Sequence, residues 1–164
     1  MSGPLSNLAR DLQDLAIARE VTVGTAESCT GGNIAHQITL NAGSSDYFLG
    51  GIVSYANDVK HNVLGVPLDV LENPGAVSEP CARAMAEGAR AALGSDLAVA
   101  TTGIAGPGGG TARKPVGLVY IALADPSETL VEEHIFPGDR EEIIKAATRR
   151  ALQLLYNAVS LEIA

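Results

Sequence analysis

The sequence predicts an α/β fold: one domain over residues 1–164, a three-layer α/β/α sandwich with a mixed, mostly parallel sheet and a C-terminal β-hairpin. Three observations predict it. Helix-period runs alternate with apolar, strand-like runs through the first two thirds of the chain. The stretch Asp96 to Thr102 is almost entirely apolar, the pattern of a central strand buried on both faces. Finally, Val116 to Ala124 and Thr129 to Phe136 are joined by Asp125-Pro126-Ser127-Glu128, a four-residue turn that suits an antiparallel hairpin.

The elements follow in order. Leu5, Leu8, Leu12 and Leu15, with Ala9 and Ala16, recur at three and four and leave Arg10, Asp11, Asp14 and Arg19 between them, an amphipathic helix. Val21 to Thr25 reads as the first strand. Asn33 to Leu40 is a short helix closed by Asn41-Ala42-Gly43, and Tyr47 to Tyr55 is the second strand, with Gly50-Gly51 marking a bulge or a close backbone approach. Asn57 to Leu64 is a short helix ending at Gly65. Val66 to Gly75, with two prolines, reads as a connection. Ser78-Glu79-Pro80 then opens the best-marked helix, with Ser as cap and Pro in the first turn, and Gly94 ends it. The last helix runs from Arg140 to Val159 behind Gly138-Asp139.

Composition narrows the function. Hydrophobic residues make up 46% and charged residues 18%, below the usual share of about 25% charged, so the chain is globular. The net charge of −8 argues against nucleic acid as the main partner, because phosphate backbones call for clustered Lys and Arg. No apolar run is long enough to span a bilayer, and the N-terminus lacks the apolar block of a signal peptide, which predicts a cytoplasmic protein. Cys29 and Cys81 have neither CxxC spacing nor a nearby His pair, so no metal or redox motif is expected. The apolar content also leaves room for an exposed patch, from which a homodimer or a higher homo-oligomer is expected.

The chemistry concentrates in Thr25-Ala26-Glu27-Ser28-Cys29-Thr30-Gly31-Gly32, a strand-to-helix turn. A helix start offers unsatisfied N–H groups to an anion, and Ser28 sits where nucleophiles are built. The plainer reading is a helix cap. Two further strand ends, Tyr55 to Lys60 and Thr101-Thr102-Gly103, would converge on it if neighbouring strands carry them. Lys60 is then the candidate base for Ser28, since a desolvated lysine loses proton affinity, although a solvated surface lysine is the commoner fate. Cys29 is either an alternative nucleophile or a buried, inert thiol. Glu27 either orients Lys60 or is a buried, hydrogen-bonded acid. The loop Gly103 to Gly110 has neither a Walker lysine nor a dinucleotide fingerprint, so no nucleotide cofactor is expected.

Several stretches together resemble the CinA C-terminal domain family: the turn from Thr25 to Gly32, Gly43-Ser44-Ser45, Tyr55-x-Asn57-x-x-Lys60, Gly75-Ala76-Val77-Ser78-Glu79, Thr102 to Gly110, Lys114-Pro115-Val116-Gly117 and Phe136-x-Gly138-Asp139-Arg140. The resemblance implies hydrolysis of the carboxamide of nicotinamide mononucleotide to nicotinate mononucleotide and ammonia, without metal or cofactor. It implies a Ser28 nucleophile and a Lys60 base, with Tyr55 and Thr102 also in the catalytic set. Along the same motifs, substrate binding falls to Glu27, Thr30, Gly31, Gly32, Ser44, Asn57, Gly103, Gly106 and Arg140. Four residues after Arg140, where the family often has Arg, this chain has Ile144, followed by Lys145. The N-terminal domain of the longer family members is not in this sequence. The alternative is a non-catalytic pyridine-nucleotide or partner-binding module linked to competence or DNA-damage response.

Overall fold

The computed structural model describes residues 3–161. In chain order they form α1 (Leu5–Arg19), β1 (Val23–Glu27), α2 (Asn33–Thr39), a 3-10 turn (Ser44–Asp46), β2 (Phe48–Val53), α3 (Asn57–Leu64), α4 (Leu68–Glu72), α5 (Glu79–Leu93), β3 (Leu97–Gly103), β4 (Leu118–Ala124), β5 (Thr129–Ile135) and α6 (Arg140–Leu161). The five strands lie in the order β2-β1-β3-β4-β5. β1 is parallel to β2 and to β3, and β4 is antiparallel to β3 and to β5. Four strands therefore share one direction and β4 alone is reversed, which gives the mixed, mostly parallel sheet with its terminal hairpin.

Side-chain size sorts the helices onto the two faces of this sheet. One face presents Val23, Val99, Val119, Ile121 and Leu123 to α1, α2 and α6. The other presents Ala26, Ala98, Ala100, Ala122 and Ala124 to α5, whose Cys81, Ala82, Met85, Ala86 and Ala89 are fully buried there. Alanine facing alanine lets α5 come close to the strands, and α3 packs on α5 in turn. A Cβ at Gly88 of α5 would stand 1.9 Å from the Leu64 carbonyl oxygen at the end of α3, so only glycine fits that crossing. Each large side chain buried in these layers, Met85 and Ile121 among them, contributes about 1.5–3 kcal/mol.

Two boundaries move from their expected places for identifiable reasons. β1 starts at Val23, not Val21, because Glu20 turns into the left-handed region (φ 56°) and the Val21 N–H still bonds back to Ala16. That shift puts Glu27 inside the strand and makes Ser28 the first residue beyond it. The stretch Val66 to Gly75 contains α4 rather than being a plain connection. Pro67 caps the start of that helix, and Asn73 with a cis bond to Pro74 closes it. The two prolines bracket a helix that they had seemed to forbid.

Gly50 and Gly51 behave as expected. The pairing of β2 with β1 shifts register between Val23 and Gly24, and a Cβ at Gly51 would meet the Thr25 hydroxyl at 2.5 Å. No helix among the described residues is long and apolar enough to cross a membrane.

Candidate active site

Ser28 lies at the C-terminal end of β1. Its N–H donates to the Thr101 carbonyl on β3 (3.0 Å), and its own carbonyl accepts from the Gly31 N–H (3.0 Å). This closes a tight turn that needs left-handed backbone at Gly31 (φ 60°) and Gly32 (φ 98°), hence the two glycines. β2 ends level with it, and the chain passes through Ser54, Tyr55 and Ala56 into α3. Lys60, on the second turn of α3, reaches back over that passage. Its Nζ lies 2.9 Å from Ser28 Oγ, 2.8 Å from the Ser54 carbonyl and 3.0 Å from the Tyr55 carbonyl.

Lys60 is 2% exposed, and among the described residues no carboxylate lies within ion-pair distance of it. Burial therefore lowers its pKa below the ordinary 10.5, with the Cys81 and Cys29 thiols opposing that shift. A neutral amine has two N–H bonds and one lone pair. As an ammonium Lys60 donates to all three oxygens; in the neutral form the two carbonyls would take the N–H bonds and leave the lone pair for the Ser28 hydroxyl.

Cys29 is next to Ser28 but differently placed. Burial pushes its thiol up to about 12, against a weaker opposing pull from a hydrogen bond with Thr101. It is a thiol, not a thiolate, at neutral pH. Cys29→Ala is accordingly expected to leave turnover close to wild type, with a stability loss of about 1 kcal/mol. Fast inactivation by a thiol-directed reagent, blocked by substrate, would move the nucleophile to Cys29.

Glu27 does not face Lys60. It is 1% exposed, and its Oε1 accepts from the Thr30 hydroxyl (2.7 Å) and the Ile34 N–H (2.9 Å) while Oε2 accepts from the Ala35 N–H (3.0 Å). The Thr30 hydroxyl is also 2.8 Å from that of Thr101. Of the two readings open for Glu27, the structure places the buried, hydrogen-bonded acid. It caps α2 from a neighbouring strand, since the residue at the cap position, Gly32, has no side chain to do so. The start of α2 is thus already occupied by a carboxylate and is not a free anion site. Among the described residues, the N–H groups of Thr30 and Gly32 have no protein acceptor.

The remaining candidates divide into four groups. Tyr55 and Arg140 meet above the site: Arg140 Nη2 donates to the Tyr55 hydroxyl (3.1 Å), and Nη1 donates to the Gly106 carbonyl. Asn57 is exposed at the start of α3. Thr102 is 1% exposed and its hydroxyl donates to the Ala76 carbonyl (2.8 Å), tying the segment after Pro74 onto β3 beside Gly103. Ser44 is not brought to the site. It precedes β2, at the end of the sheet where β1 begins, so the length of β1, roughly 15 Å, separates it from Ser28.

The carbonyls of Ser54 and Tyr55 that hold Lys60, and the Thr101 contacts, were not singled out from the sequence. Main-chain acceptors leave no mark on residue type, and only the Thr101-Thr102 doublet at the end of an Ala/Val strand hinted at the last. Two cavities flank Arg140 rather than Ser28, one of about 390 Å³ lined by Asn33, Ile144 and Lys145, the other of about 460 Å³ lined by Ala105, Pro107 and Val116. Ile144 therefore lines a cavity next to Arg140, with Lys145 held 3.3 Å from Glu141. Among the described residues no three of His, Cys, Asp and Glu come together as metal ligands.

Fold and site together define a three-layer α/β protein with a buried serine–lysine pair at the C-terminal ends of its parallel strands. The chain belongs to the CinA C-terminal domain family, whose model matches residues 5–159. It is 49% identical over 158 residues to a CinA-like protein of Leptospira interrogans, covering 94% of this chain and 38% of that protein. With a CinA-like protein of Geobacter sulfurreducens it shares 52% identity over 147 residues, covering 87% of this chain and 36% of that one. The chain thus spans little more than a third of the length of these relatives. The crystal structure of the competence/damage inducible protein CihA from Agrobacterium tumefaciens superposes with a TM-score of 0.93 at 43% identity, covering 98% of both chains. A CinA superfamily protein from Klebsiella pneumoniae superposes at 0.92 with 33% identity, over 96% of this chain and 99% of that one.

Proposed function

We propose that this domain hydrolyses the carboxamide of nicotinamide mononucleotide to the carboxylate and ammonia, with Ser28 as nucleophile and Lys60 as base. The observation that carries the reading is the 2.9 Å contact between Ser28 Oγ and a buried Lys60 Nζ whose other two partners are carbonyls. In the first step Oγ bonds to the carboxamide carbon as its proton passes to the Lys60 lone pair. The N–H groups of Thr30 and Gly32 are the candidate donors to the oxyanion that forms. The Lys60 ammonium returns its proton to the leaving nitrogen, the C–N bond breaks and ammonia departs. Water then gives a proton to Lys60 as its oxygen adds to the Ser28 ester, and the ester breaks with the proton going back to Oγ. Arg140, already bridging Tyr55 and the Gly106 loop, is the group suited to the ligand phosphate, since a dianion outcompetes neutral oxygens for a guanidinium.

Purified protein incubated with nicotinamide mononucleotide is expected to release ammonia and nicotinate mononucleotide in equal amounts. A folded protein that releases neither across the pH range above neutrality would end this reading and leave the ligand-binding module in its place.

A further inference from the structure

The turn that carries Ser28 is held from outside itself. Gly31 and Gly32, both in the left-handed region, give it its shape and little stiffness of their own. The stiffness comes from one residue of the neighbouring strand. On β3, the Thr101 carbonyl accepts the Ser28 N–H at 3.0 Å. The Thr101 hydroxyl lies 2.8 Å from that of Thr30 and hydrogen-bonds with the Cys29 thiol. Thr101, itself fully buried, therefore grips three consecutive residues of the turn.

The order of the protons along these contacts is fixed at one end. The Thr30 hydroxyl gives its only hydrogen to Glu27 Oε1 at 2.7 Å, and that carboxylate is already tied to the Ile34 and Ala35 N–H groups of α2. Thr30 Oγ1 can then only accept from Thr101, so the Thr101 hydroxyl donates to it and the Cys29 thiol donates to Thr101. Three hydrogen bonds point one way, from Cys29 through Thr101 and Thr30 to a carboxylate anchored on a helix. Thr30 is thereby clamped between β1 and β3. Among the described residues its own N–H, like that of Gly32, has no protein acceptor. We propose that Thr101 is a positioning residue for the oxyanion: its hydroxyl, through Thr30, fixes the turn whose free N–H groups meet the charge that forms on the substrate. Donors of this kind are effective when they stand in place before the charge appears. Lys60 belongs to the other side of the sheet. By strand alternation Thr101 shares the face of Val99, towards α1, α2 and α6, whereas Lys60 comes from α3, which packs on α5. Thr101 therefore acts on the oxyanion and not on the base. The role rests on the Ser28 chemistry proposed above, but not on which amide is the substrate.

Thr101→Val keeps the shape of the side chain and removes the hydroxyl. It is expected to lower kcat for nicotinamide mononucleotide by about 10- to 100-fold, the scale of a misplaced catalytic group, with KM, melting temperature and the midpoint of the pH profile unchanged. Pyridine-3-boronic acid supplies a reading that needs no amide hydrolysis. Ser28 Oγ adds to its trigonal boron as the hydroxyl proton passes to Lys60, which leaves a tetrahedral anion with a boron-bound oxygen in the oxyanion position. Its affinity should fall by the same factor in Thr101→Val, and Thr101→Ser should restore both readings. If Thr101→Val does not fold, Thr101→Ala decides by the same two. Wild-type kcat and boronic acid affinity without the hydroxyl, a loss that only follows a lowered melting temperature, or Thr101→Ser as impaired as Thr101→Val would overturn the proposal. A wild-type protein that binds the boronic acid but releases no ammonia ends the amide reading alone, and the affinities of the Thr101 variants still decide. One that does neither ends both.

Discussion

Ser28→Ala is expected to lower turnover of nicotinamide mononucleotide by on the order of 10⁴-fold or more, while calorimetry finds its affinity little changed. In the proposed mechanism the hydroxyl is the atom that bonds to substrate, whereas the contacts to ribose and phosphate are made elsewhere. Lys60→Met should cost a similar factor. The double variant should cost scarcely more than either single one, because each removes the same proton-transfer unit. Two independent losses that multiply in the double variant would separate the two residues and dissolve the pair. The pH profile supplies the sign. The proposed mechanism needs Lys60 as the neutral amine, and burial holds its pKa below 10.5, so activity should be low where the ammonium dominates and rise with pH through that lowered value to a plateau. An activity that falls with rising pH over that window would mean that the charged lysine is the working form.

How much of this was legible in the sequence depended on what kind of contact did the work. The central strand β3 announced itself because burial on both faces admits only apolar residues and small hydroxyls, and α5 did so because Ser78 and Pro80 mark a helix start by their own chemistry. Ser28 and Lys60 came within reach for a similar reason: they stand on strand-end turns, and parallel strands bring such turns to one edge. What sequence order could not convey was direction. Thr102 sits one residue from Thr101 and points to the opposite face, so one hydroxyl holds Ala76 and the other joins Thr30. Ser44 belongs to a recognisable motif, yet it enters β2 at the end of the sheet away from Ser28. Helix α4 was hidden because two prolines look like breakers until one is seen to start the helix and the other to follow its end.

Glu27→Ala should be the most damaging substitution for the fold near the site. The side chain is 1% exposed and takes two backbone N–H groups of α2 and the Thr30 hydroxyl, so its removal strands the Ile34 and Ala35 N–H groups and leaves the Thr30 hydroxyl with Thr101 alone. Leaving such partners unpaired around a vanished charge costs about 3–5 kcal/mol. For a chain of 164 residues that corresponds to a melting temperature lower by roughly 10 °C. Glu27→Gln keeps the shape and one acceptor but sets an NH₂ group against an N–H donor, so it should fall between the two. Turnover should drop with both, because Ser28 is the next residue and its turn is anchored through Thr30. The contrast with Ser28→Ala is diagnostic: that variant loses turnover at an unchanged melting temperature, whereas the Glu27 variants lose both together. A Glu27→Ala protein that melts like wild type and yet does not turn over would place the carboxylate on the substrate instead of on α2.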